Sequence, residues 1–115
     1  RLKKEDKKMF NELRDEVHAL AMEKGWYDRP HNFGDFISNA HAELSEAWEE
    51  YRHGHEPTAI YFAAHKPEGI PIELADCIIR ILDYCGAEEI DIDEAIRIKH
   101  EYNKGRPYRH GGKRI

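Results

Sequence analysis

The chain has 115 residues, 36% of them charged and 10% aromatic, and a formal net charge of −5. That is one domain with a modest core, too apolar and too regularly patterned for a disordered chain, and too acidic overall for an obvious nucleic-acid binder. No apolar run approaches the ~18 residues that cross a bilayer, and the opening RLKKEDKK lacks the apolar stretch of a secretion signal.

In chain order, residues 3–24 predict a helix, with Phe10, Leu13, Val17, Leu20 and Ala21 on one face and Gly25 as its stop. The stretch GWYDRPHNFGD, 25–35, reads as a loop. It carries Trp26, Tyr27, His31 and Asn32, a rich recognition set, because aromatic rings stack on bases and an amide reads a base edge. Phe33 and Phe36 read as core. A second helix is predicted over 35–53, its apolar face formed by Phe36, Ile37, Ala40, Leu44, Ala47, Trp48 and Tyr51 and its end marked by Gly54. Residues 54–71 form a long connection punctuated by Pro57, Pro67 and Pro71. Within it TAIYFAAH predicts one or two helical turns, and a connection of this length is often functional.

A third helix is predicted over 71–85, started by Pro71 and closed by Gly86, with Ile72, Ala75, Ile78, Ile79 and Leu82 as its apolar face. A fourth, over 91–104, carries Ala95, Ile96, Ile98 and Tyr102, and KGRPYRHGGKRI follows as an irregular tail. No segment alternates as a strand would. The expected fold is all-α: one domain over 1–115, four helices packed in a bundle-like arrangement, with the tail 105–115 closing the substrate site. Cys77 and Cys85 lie eight apart in one helical pattern, ~12 Å on a straight helix, so they read as two buried reduced thiols in a cytoplasmic protein.

Two acid pairs stand out. AHAELSEAWEEY places Glu43 and Glu46 three apart, and PIELADCIIRILDYC does the same with Glu73 and Asp76. Side chains three apart share a helix face. If the two helices are neighbours, the four carboxylates converge, and they then need either protons or a cation. An all-oxygen set suits a hard ion such as Mg²⁺, with Mn²⁺ as a substitute. Glu49 continues the row as a further ligand or water-orienting base, whereas Glu50 faces solvent. A di-iron bundle needs Glu-x-x-His on two helices, and the chain offers one, Glu50 to His53. Zinc is disfavoured because the histidines do not cluster at ligand spacing.

The chain's end is basic. Residues 97–115 contain Arg97, Lys99, Lys104, Arg106, Arg109, Lys113 and Arg114 against the single acid Glu101. Lys99 and Asn103 share a helix face, and Arg106 and Arg109 can fork onto phosphate oxygens. A small polyphosphate reconciles the two halves, since acids hold a metal and basic groups hold phosphates.

These motifs resemble those of the MazG-like, all-α nucleoside triphosphate pyrophosphohydrolases. The resemblance rests on ELSE and ELAD in order, the preceding GWYDRPHN, KPEGIPIELADCIIRILD, and the ending KHEYNKGRPYRHGGK, and it covers about residues 8–114. It implies cleavage of a (deoxy)nucleoside triphosphate to monophosphate and pyrophosphate, with Mg²⁺ on Glu43, Glu46, Glu73 and Asp76 and a metal or water role for Glu49. Trp26, His31 and Asn32 would face the nucleotide. Lys99, Asn103, Arg106, Arg109 and Lys113 would hold its phosphates. It also implies a homodimer or homotetramer whose pockets are completed by a neighbouring subunit. The acidic body and the short apolar runs argue against a nucleic-acid polymer or a membrane as partner. The 54–71 connection departs from the shortest members and leaves substrate choice open. A phosphoribosyl-ATP pyrophosphohydrolase and a non-catalytic nucleotide-binding module remain the alternatives.

Overall fold

The computed structural model describes residues 9–108. Four helices dominate it: α1 (Met9–Glu23), α2 (Phe33–Arg52), α3 (Ile70–Ala87) and α4 (Ile92–Lys104). A single 3-10 turn, Trp26–Asp28, lies between α1 and α2, and a short antiparallel hairpin, β1 (Tyr61–Ala63) and β2 (Lys66–Glu68), lies between α2 and α3. The architecture is mostly helical, as expected. α3 packs against both α1 and α2, and α4 lies against α1. No helix among the described residues is long and apolar enough to cross a membrane.

Local chemistry sets the boundaries. Gly25, at φ 87°, ends α1 in the left-handed region that glycine enters without strain. α2 starts at Phe33, two residues before the expected Asp35, because Asn32 is its N-cap. The Asn32 side chain accepts from Asp35 N at 2.9 Å, and Asp35 accepts from Asn32 N at 3.0 Å, a reciprocal capping box.

The 54–71 connection corrects the sequence reading, for it forms a hairpin rather than helical turns. Tyr61, Phe62 and Ala63 pair with Glu68, Pro67 and Lys66. The turn is made by Ala64 and His65 at φ 51° and 71°, neither of them a residue that announces such a turn. The Tyr61 hydroxyl donates to Glu50, which ties the hairpin to the last turns of α2. Glu50 is therefore half-buried and partnered, not solvent-facing.

Gly86 also departs from expectation. It lies inside α3, which continues to Ala87. A Cβ there would stand 2.5 Å from the His18 Cβ, so its role is to let α1 approach α3.

The described core is small. Ala40, Ala47, Ile70, Cys77, Leu82 and Cys85 are its buried apolar residues. Both thiols are free and buried, as expected, and Cys77 Sγ lies 3.6 Å from the Ala40 carbonyl where α2 and α3 touch. Alanine and cysteine at this contact let the helices approach closely. The expected apolar faces are wider than the contact, however. Leu44, Trp48 and Tyr51 on α2 and Ile78 and Ile79 on α3 are exposed, as is Phe33 at 58%. The packed neighbours cover only part of each helix's circumference, so the outer part of each stripe stays in solvent.

α1 and α4 are joined by a reciprocal clasp. Asp93 accepts from the backbone N–H groups of Phe10 and Asn11 at 3.1 and 2.8 Å, which caps α1 from across the fold. Asn11 does the same for α4, accepting from Ile92 N at 3.0 Å and donating to Asp91 at 2.9 Å. Arg14 donates to the Ile90 carbonyl at 2.7 Å.

Candidate metal centre and adjoining aromatic cavity

Positions 40, 43 and 47 of α2 fall on one face, and Ala40, Glu43 and Ala47 are all buried there. The facing side of α3 carries Glu73, Asp76, Cys77 and Arg80. Because α2 and α3 are packed neighbours, the acid pairs meet. One carboxylate oxygen from each of Glu43, Glu73 and Asp76 lies within 4.8 Å of the others, the only such cluster among the described residues. Glu43 and Glu73 are 6% and 7% exposed, so water does little to screen them.

The electrostatics follow from that geometry. Glu73 is pushed up to about 7, first by burial, then by the charges of Glu46, Asp76 and Glu43 and by a hydrogen bond with Glu43. A hydrogen bond between two carboxyls needs a proton on one of them. Asp76 is also raised, by burial and by Glu43, while Arg80 and then Lys66 pull the other way. The cluster holds more negative charge than its surroundings offset. Its donors are hard oxygens only, and they sit close enough to share one ion. Glu43, Glu73 and Asp76 thus fit Mg²⁺ or Mn²⁺.

The other expected ligands lie further out. Glu46 is exposed, near enough to influence Glu73 but outside the group of three. Glu49 is exposed near the end of α2 and pairs with Arg52 at 3.3 Å. The structure does not bring Glu49 into the cluster.

Arg80 is a residue that the sequence reading missed. Its Nε donates to Glu43 Oε2 at 2.6 Å. The signal was present, because Arg80 follows Asp76 by four and Glu73 by seven, which continues the acid face by one turn. The Arg80 guanidinium also lies 5.5 Å from the centre of the Trp26 ring.

Two cavities meet at this point. One, of about 310 Å³, is aromatic, with Trp26, His31, Phe36 and Tyr84 in its wall. The other, of about 570 Å³, contains Glu43 and Asp76 in its wall. Trp26, Arg80 and Asp83 line both. Trp26 stacks on His31 with ring centres 4.8 Å apart and planes 4° from parallel, and His31 Nε2 lies 2.8 Å from the Trp26 carbonyl. Phe36 stacks on Tyr84 at 4.3 Å. Phe33 and Phe36 therefore line the aromatic cavity, and neither is a buried core residue. Asn32 lines it too, although its side-chain oxygen is committed to capping α2.

Asp83 anchors the loop. It pairs with His18 at 2.8 Å and accepts a hydrogen bond from Tyr27, whose hydroxyl is raised by burial and then by Asp83.

The basic residues stand apart. Lys99, Asn103 and Arg106 lie on or just beyond α4, and none of them lines either cavity. Lys99 Nζ and the Arg106 guanidinium lie 4.8 and 5.8 Å from the Tyr102 ring centre. Arg109 and Lys113, with all of the expected closing tail beyond Tyr108, fall outside the described residues. Comparison of the chain with family models, curated proteins and solved structures returns no match.

Proposed function

We propose that the chain is a divalent-metal-dependent nucleoside triphosphate pyrophosphohydrolase. The observation that carries this reading is the convergence of Glu43, Glu73 and Asp76 from two helices, beside an aromatic cavity about large enough for a base. Glu43, Glu73 and Asp76 would hold Mg²⁺ or Mn²⁺. When bound, the ion supplies neutralisation of phosphate charge and a more acidic water.

The remaining steps belong to the chain. Trp26 and His31, stacked together in the wall of the aromatic cavity, supply the ring surface for a base. The position of Trp26 between the cavities directs the phosphates toward the acids. A water oxygen bonds to the α phosphorus, the bond from that phosphorus to the bridging oxygen breaks, and pyrophosphate leaves. Glu46, exposed and near enough to act on Glu73, takes the water's proton. Glu49, the third acid of that row, pairs with Arg52.

Lys99, Asn103 and Arg106 enter the site from a second copy of the chain. Their own α4 packs on α1, and none of the three lines either cavity. The exposed Leu44, Trp48, Tyr51 and Ile78 supply the apolar face for a homodimer or homotetramer.

The test is pyrophosphate release across natural and modified nucleoside triphosphates and phosphoribosyl-ATP, with Mg²⁺ and then with chelator. The reading expects Mg²⁺-dependent release from at least one nucleoside triphosphate. Release from phosphoribosyl-ATP alone would move the activity to that substrate. Tight nucleotide binding without any release would make the protein a binding module.

A further inference from the structure

Arg80 joins the two halves of the site. Its Nε reaches the buried Glu43 carboxylate at 2.6 Å, its guanidinium lies against Trp26 at 5.5 Å, and it lines both cavities. The Glu43 carboxylate is therefore divided between two claims. It accepts from a guanidinium on one side and belongs to the group of three acids on the other. A divalent ion entering that group would compete with the guanidinium for the same carboxylate, and the two cations repel.

We propose that Arg80 is the built-in counter-cation of the acid cluster: it competes with the divalent ion for Glu43, and its displacement from Glu43 on metal binding resets the Trp26 wall of the aromatic cavity. The inference rests on the metal reading above and adds a coupling between the metal and base-binding halves. Arg80 acts through Glu43 and Trp26, so it is a positioning residue. Lys66, the other cation that acts on Asp76, lies on the hairpin and pairs with Glu68 at 3.7 Å. It lines neither cavity, so it is not placed to carry the same coupling.

The test uses the full chain without nucleotide. Mn²⁺ is titrated calorimetrically into wild type, Arg80→Met and Arg80→Gln. The Gln variant keeps an N–H donor for Glu43 without the charge, so the comparison still decides the matter if the Met variant fails to fold. Both variants are expected to bind Mn²⁺ at least about tenfold more tightly, because a neighbouring positive charge is gone. In a Trp48→Phe background, Mg²⁺ is expected to change the Trp26 emission when Arg80 is present and to leave it unchanged in Arg80→Gln. Equal or weaker Mn²⁺ binding by the variants overturns the inference alone, since Arg80 would then support Glu43 as a ligand. Unchanged Trp26 emission in protein that has bound Mg²⁺ overturns the coupling. Binding by neither wild type nor variants removes the metal reading and the inference with it.

Discussion

Two regions of this molecule hold acidic side chains where distant parts of the chain meet, and they treat the charge in opposite ways. At the α1–α4 clasp, Asp91 and Asp93 face backbone N–H groups and the Asn11 amide. Asp91 is lowered as a result, first by the Asn11 hydrogen bond and then by Glu94 N. At the α2–α3 contact, Glu43, Glu73 and Asp76 face one another, and Glu73 rises. Helix N-termini are built-in partners for carboxylates. The clasp is electrically complete and structural. The cluster instead meets its charge through a raised Glu73 and the Arg80 contact, and three acids brought this close are what the metal proposal rests on.

The largest expected effect separates the two regions outright. Glu73→Gln should lower turnover by about a hundredfold or more, while Asp93→Ala leaves turnover of the folded protein within about twofold. Rates of pyrophosphate release in saturating Mg²⁺ measure both. Similar losses in the two variants would erase the distinction.

Next comes pH. The folded pKa of Glu73, about 7, lies above its ordinary 4.5, so the folded chain keeps a proton that the unfolded chain releases in between. Through this group, metal-free stability is fully present below about pH 4.5 and is lost as pH rises through about 7, by up to ~3 kcal/mol. In chelator, Glu73→Gln should match wild type near pH 4.5 and unfold at a higher temperature at pH 8. Asp91 works in the reverse direction. Its stabilisation is present above the ordinary 3.8 and is lost as pH falls through its lowered value.

The clasp itself should show in stability. Asp93→Ala removes the acceptor for two N–H groups of α1 and should cost ~1–2 kcal/mol in denaturant unfolding, the usual cost of losing a cap. An unchanged midpoint would mean that the clasp is ornamental. The smallest effect is expected at the aromatic wall. Trp26→Ala should raise KM by about tenfold with kcat changed less, the value of one stacked base. An unchanged KM for every active nucleotide would remove Trp26 from the site.

Much of this was legible in the sequence because helices convert spacing into faces. Glu73 and Asp76, three apart on α3, meet Glu43 of α2, whereas Glu46, an expected ligand three from Glu43, stays outside the group. Glu46 and Glu49 were harder, because each further step of three turns the side chain away from the α3 contact. The hairpin was hidden, since Ala64 and His65 give no glycine or asparagine signal for positive φ. Gly86 misled in the opposite sense. Its lack of a side chain serves the approach of His18, a contact with a distant part of the chain that no local pattern encodes. The exposed Trp48 and Tyr51 show the same limit. Periodicity identifies an apolar stripe but not how much of it one chain covers.

The most direct test is calorimetric Mn²⁺ titration of wild type, Glu73→Gln and Asp93→Ala, with each variant first shown to be folded. The account predicts saturable binding by wild type and Asp93→Ala, and binding weakened at least about tenfold in Glu73→Gln, which has lost a ligand oxygen's charge. Mn²⁺ binding of equal strength in wild type and Glu73→Gln would contradict it.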